Sequence, residues 1–375
     1  MRRLLVVLAL AACGHTHRET VPLIMGDAVP ADPAAQVGAC DAGQPRACQA
    51  VGMRAYRADG VDRDDAAALA RFTRACDLGL VEGCAWAGVL IMNGEGTPRD
   101  PARAMPLLRP ACNAGVDRAC LALELLRYQG AGGVDRDAPA ALHALDERCI
   151  ANQAEACGFL AGLWLNDPSL GDDTQAWPYA RRGCDLGDGY ACLIFAVATY
   201  DGVGTTADHA AGLAAYGKAC DLGQGLACAT LGVSLYDGHE IDADQAAGLT
   251  RLRRGCALAA GAACRALASA LLDEPPSVAA EAFHAATRAC DLGDLGGCAV
   301  LGQCHDRGVG TAADPARAAA LYARACDQGT DESSAGGCYY LGELMAAGRG
   351  VSRDPAAAAA RRAQACQRGW QEACR

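Results

Sequence analysis

The stretch "KACDLGQGLACATLG", Lys218 to Gly232, decides how this chain is read, because nearly the same words return along its length. Arg74 to Gly88 is "RACDLGLVEGCAWAG", and Arg288 to Gly302 is "RACDLGDLGGCAVLG". Taken in order, the cysteines fall into ten pairs: Cys40/Cys48, Cys76/Cys84, Cys112/Cys120, Cys149/Cys157, Cys184/Cys192, Cys220/Cys228, Cys256/Cys264, Cys290/Cys298, Cys326/Cys338 and Cys366/Cys374. Nine pairs have seven residues between the cysteines, and Cys326/Cys338 carries four more. First members of successive pairs lie 34 to 37 residues apart, with a last step of 40. A fixed period of this size marks stacked supersecondary units, so the 375 residues form an array and not two or three separate globules.

Each unit reads as two helices. From the pair Cys76/Cys84 onward, an aspartate stands twelve residues before the first cysteine (Asp64, Asp100, Asp137, Asp172, Asp208, Asp244, Asp314, Asp354), with Val278 the one departure. A carboxylate there accepts from the orphan amides of a helix start, and proline follows directly at Pro101, Pro315 and Pro355. Three residues after the first cysteine comes glycine (Gly43, Gly79, Gly115, Gly187, Gly223, Gly293, Gly329, Gly369), replaced only by Asn152 and Ala259. Glycine at that point is a helix stop, since it takes the left-handed conformation without strain. A second helix then begins near the second cysteine and ends at glycines such as Gly94, Gly202 and Gly308.

The chain opens "MRRLLVVLALAACGHTH", two arginines, an apolar run and then Cys13 after small residues. This is the pattern of an export signal. Leu10-Ala11-Ala12-Cys13 resembles the bacterial lipoprotein box, which implies residues 1–12 as a signal peptide, lipidation at Cys13 and a flexible tether over 13–38. No other apolar run approaches the ~20 residues of a membrane span. Loss of Arg2 and Arg3 takes the formal charge from -11 to -13, and an acidic chain lacks the basic footprint of nucleic-acid binding.

With export upstream, cysteines on either side of a tight turn read as disulfides. Zinc sites use closer pairs with histidine partners. No metal or other cofactor is expected. A nine-residue closed loop contributes about 2 to 3 kcal/mol on the chain-entropy model. Cys304 is left as the free thiol, taking a helix position held elsewhere by Leu90, Leu126 and Leu344.

From about residue 40 to 375 the sequence resembles the Sel-one-like repeat family, relatives of the tetratricopeptide arrays. The shared words are Leu231-Gly232, Leu301-Gly302 and Leu341-Gly342, then Tyr236-Asp237-Gly238, the "D-P-x-x-A" turns and Tyr322 to Cys326. The closest likeness is to the secreted branch with one disulfide per repeat. The resemblance implies an all-α, right-handed α-solenoid of about nine helix-turn-helix repeats over 39–375, acting as an adaptor for proteins or peptides.

Counting from the second cysteine, positions +2, +5 and +9 lie on the helix side away from the partner helix. They give a candidate groove of Trp86, Phe159, Ile194 and Tyr340 with Asn93, Gln129, Asn166, Asp201, Asp237 and Asp273. Two alternatives stand beside it: burial of the apolar set against the next unit, and turn-shaping by the aspartates. Some cysteine-rich members of the family are associated with penicillin binding or β-lactamase activity, which makes a hydrolase the alternative function. The residues give that chemistry little: Lys218, the only lysine, has Ala215 where S-x-x-K needs serine, and none of the seven serines sits in G-x-S-x-G. The seven histidines are scattered. The sequence therefore points to a monomeric, non-catalytic scaffold of the bacterial cell envelope, on the periplasmic face or outer membrane, binding an envelope protein or peptide.

Overall fold

The computed structural model describes residues 29–59 and 61–375. The signal, Cys13 and the expected tether up to residue 28 lie outside the described residues. Nineteen α-helices and no strand occupy the described residues. By packing, the chain divides into two compact units, one ending at Gln224 and one beginning at Gly225.

The first unit holds α1 (Pro33–Asp41), α2 (Pro45–Arg57), α3 (Asp65–Asp77), α4 (Val81–Asn93), α5 (Pro101–Asn113), α6 (Asp117–Gln129), α7 (Ala138–Ile150), α8 (Ala154–Asn166), α9 (Ala176–Asp185), α10 (Gly189–Asp201) and α11 (His209–Asp221). The second holds α12 (Gly225–Asp237), α13 (Gln245–Ala257), α14 (Gly261–Leu271), α15 (Ala279–Asp291), α16 (Leu295–Arg307), α17 (Pro315–Gln328), α18 (Glu332–Ala347) and α19 (Pro355–Gln367). Within each unit, every helix packs on the next along the chain, and second helices also pack on one another, as α4 on α6 and α14 on α16. This is the stacked helix-pair architecture of an α-solenoid. Helical structure starts at Pro33, inside the stretch assigned to the tether.

The local causes are uniform. Asp64, Asp100, Asp137, Asp208, Asp244, Asp314 and Asp354 each accept the amide three residues on, capping α3, α5, α7, α11, α13, α17 and α19. Asp172 caps only a short 3-10 turn, Asp173–Gln175, ahead of α9, and Val278 gives α15 no side-chain cap. The amides of these seven α-helix-capping aspartates also donate to the carbonyl seven residues past the preceding second cysteine, as Asp100 to Ile91 at 3.0 Å and Asp314 to His305 at 2.7 Å. That bond ties one helix pair to the next.

The turn inside each pair is left-handed at Gly79 (φ 89°) and at Asn152 (65°), and Ala259 adopts it too at 59°. Gly329 does not: it ends α17 in an extended conformation, φ -82°. The insertion explains the exception. Its four extra residues add about one helical turn to the start of α18, capped by Asp331, so Cys338 returns to the register of the other second cysteines. Cys326 and Cys338 bond at a Cα separation of 4.6 Å despite their wider spacing.

The disulfides Cys40–Cys48, Cys76–Cys84, Cys112–Cys120, Cys149–Cys157, Cys184–Cys192, Cys256–Cys264, Cys290–Cys298 and Cys366–Cys374 have Cα separations of 4.4 to 4.9 Å. Cys220 and Cys228 are disulfide-bonded as well. Glycine allows the closest helix approaches: a Cβ on Gly302 of α16 would lie 2.6 Å from the Tyr322 ring of α17.

Candidate functional site

In the first unit, second helices α4, α6 and α8 form a small cleft of about 10 Å³, lined by Val89, Met92, Asn93, Arg118, Ala122, Leu125 and Phe159. Its lining comes mostly from positions +2, +5 and +9. Asn93 and Phe159, both expected in the groove, meet here; Phe159 is nevertheless buried, while Asn93 is half-buried.

Trp86 lies beneath the rim and is only 7 % exposed. It stacks on Phe72 of α3 at 5.3 Å and meets Tyr56 of α2 edge-on at 5.3 Å. Above it sits Arg118, its guanidinium carbon 3.9 Å from the Trp86 ring centre, with Nη2 donating to Glu155 of α8. Along the same rim Arg63 lies over the Tyr56 ring at 4.4 Å and donates to Glu95 at 2.7 Å, and Asn93 Nδ2 donates to the other Glu95 oxygen at 2.9 Å. At the start of α10, Asp188 is fully enclosed, and burial pushes its carboxyl well above the usual carboxylate range.

The remaining expected groove residues are dispersed. Ile194 has no exposed surface, so it is core and cannot touch a partner. Gln129 accepts from Arg99 at 2.8 Å, and Asn166 donates to the Gly162 carbonyl at 2.8 Å, ending its own helix. Asp201 and Asp237 are exposed, and Asp273, also exposed, pairs with Arg307. Tyr340 in the second unit is half-buried, stacked on Tyr322 at 5.4 Å and meeting Trp370 edge-on at 6.0 Å. Aromatic bulk at +2 thus goes into packing: Trp86 and Tyr340 each stack on the first helix of their own pair, through Phe72 and Tyr322, and each takes a ring of a neighbouring repeat edge-on, Tyr56 or Trp370.

Cys304 is the free cysteine among the described residues; it is buried, and burial pushes its thiol up to about 11. The adjacent His305 makes no hydrogen bond through either ring nitrogen, so the two do not form a nucleophile–base pair. Among the described residues no group of three or more His, Cys, Asp or Glu is placed to hold a metal ion, and no helix is long and apolar enough to cross a membrane.

Sequence reasoning missed Arg118 and the Arg63–Glu95 pair, because their partners lie more than 30 residues away. It also missed a basic ladder whose signal was in plain view. A cation recurs two residues before the first cysteine, and it bonds the end of the preceding first helix. Lys218 Nζ donates to the Cys184 carbonyl at 2.6 Å, Arg182 to that of Ile150 at 3.0 Å, and Arg288 to that of Cys256 at 3.1 Å. A cation at a helix C-terminus meets both unsatisfied carbonyls and the negative end of the dipole.

Comparison with known proteins agrees with this geometry. The Sel1 repeat model matches residues 45–80, 81–116, 296–330 and 335–360. A solved structure of a protective antigen from uropathogenic Escherichia coli strains, displaying an SLR fold, is similar at 22 % identity and a TM-score of 0.58, over 91 % of this chain and 72 % of that one. A Sel1 repeat protein from Oxalobacter formigenes matches at 20 % identity over 91 % of this chain and 88 % of that one, TM-score 0.41. A structure described as a sel1 repeat protein from Klebsiella pneumoniae matches at 19 % over 62 % and 94 %, TM-score 0.29. No curated protein matches the chain. Sel1 repeats are typically protein-interaction modules. Repeat signature and paired helices agree over the four matched stretches, where the chain carries Sel1 repeats.

Proposed function

We propose that the chain is a non-catalytic protein-interaction scaffold of an exported, oxidising compartment, held in the bacterial cell envelope by lipid at Cys13, and that it takes a peptide or protein segment on the α4–α6–α8 face. The observation that carries this reading is the cleft itself. Its walls are apolar and its rim carries polar groups, Asn93 and Arg118, already oriented by Glu95 and Glu155. Side chains fixed before binding lose little freedom when a partner arrives. The disulfide in every pair fits an oxidising compartment, and the lipoprotein-like sequence at Cys13 supports the anchor.

The test is site-specific photo-crosslinking in the envelope of cells making the full chain. A benzophenone amino acid at Asn93 or Gln129 is expected to capture a discrete partner, while the same group at exposed Ala70 of α3 captures none. Equal capture from Ala70, or none from the α4–α6–α8 face, overturns the assignment.

A further inference from the structure

His305 is the unusual residue of the second unit. It sits seven residues past the second cysteine of its pair, where the other pairs carry Ala55, Ile91, Arg127, Trp164, Thr199, Leu235, Leu271 and Met345, and no second histidine. This is the position whose carbonyl holds the next pair in place, here by accepting the Asp314 amide at 2.7 Å. Its imidazole is 4 % exposed, and neither ring nitrogen has a hydrogen-bond partner. On α15 the residue facing it is Phe283, edge-on at a ring separation of 5.4 Å.

The charges around it do not welcome a proton. Arg317 on α17 opposes one. Asp314 favours one, but its Oδ1 already accepts the Arg317 amide at 3.0 Å. On its own helix, Cys304 is buried, Asp306 accepts from Arg349 at 2.8 Å through Oδ2 while its Oδ1 is buried without a hydrogen-bond partner, and Arg307 is paired with Asp273.

We propose that His305 makes the joint between α16 and α17 an acid-released hinge, which opens in mildly acidic surroundings and uncovers the thiol of Cys304. Closed, the joint accommodates a neutral ring at the cost of two unsatisfied nitrogens; a protonated ring would be a buried charge with no acceptor in hydrogen-bond contact. Burial holds the His305 pKa below its ordinary value. The sign follows: the closed joint keeps its full stability above about pH 6.5, the ordinary histidine value, and loses it as pH falls below that. Cys304, one residue away, is a built-in reporter.

The experiment measures labelling of Cys304 in the full-length protein by dithiodipyridine, with the labelled site located by peptide mapping. Wild type is compared with His305→Leu and His305→Met, which place at this position residues the other pairs already use. Dividing the wild-type rate by the variant rate at each pH cancels the reagent's own pH dependence. That ratio is expected to rise between about pH 7.5 and 5.5, by up to about tenfold, the limit for one proton that the closed joint excludes. A ratio that stays flat or falls, with either variant, overturns the proposal, as does a wild-type thiol that never labels across the range.

Discussion

Two aromatic stacks occupy the same register in different units and have different fates. Phe72 on Trp86 and Tyr322 on Tyr340 each join position -4 of the first cysteine to +2 of the second, at ring separations of 5.3 and 5.4 Å. In the first unit Arg118 covers the stack, and Trp86 is sealed. In the second, Tyr340 has Trp370 edge-on and stays half-exposed. Exposure at +2 is therefore decided by what the following repeat places over it, two to four residues before its own second cysteine.

Substituting the two rings tests this most severely. Trp86→Ala is expected to cost about 3 to 5 kcal/mol in denaturant unfolding, as large buried rings do, and Tyr340→Ala only about 1 to 2 kcal/mol. Equal losses would mean that the neighbouring repeat does not set the difference.

The units should also answer acid in opposite senses. Asp188 has a carboxyl raised by burial, so protonation favours the folded state, and its contribution grows as pH falls from neutrality toward the ordinary carboxylate range. Asp188→Asn keeps a capping side chain without burying a charge. It should gain about 1 kcal/mol at pH 7 and flatten the pH dependence of amide protection in α10, whereas protection around His305, measured against the intrinsic exchange rate at each pH, weakens in acid. A pH response unchanged in Asp188→Asn would remove that carboxyl from the account. The smallest effect is expected at the exposed Arg307–Asp273 pair, where Arg307→Ala should shift unfolding by less than about 0.5 kcal/mol; a larger loss would show that charge on this face does structural work.

The fold was legible because its determinants are local. An aspartate twelve residues before a cysteine, and a glycine three after it, each act within one helical turn, and seven of the caps form as the spacing implies. Local reasoning slipped where length changed. Gly329 resembles every other turn glycine in sequence, but the insertion after it lengthens α18 and removes the need for a left-handed residue. Ala259 shows the converse, a residue forced into that conformation because the turn around it is fixed. The candidate groove was only partly legible. Helical periodicity names the side of α4, α8 or α10 on which Trp86, Phe159 and Ile194 project, but whether that side is wet depends on Arg118 and its like, placed by a different repeat. His305 was visible as a letter, and its meaning required knowing that its carbonyl closes a joint.

Each sulfur bridge stays inside its own module, spanning eight residues, or twelve at the insertion. A newly emerging chain can therefore oxidise each rung as soon as its own two thiols are out, with no distant mate to wait for and little opportunity for mispairing. For the same reason a gene can gain or lose a whole period without stranding a cysteine, so the length of the array is free to drift while its covalent bookkeeping stays closed.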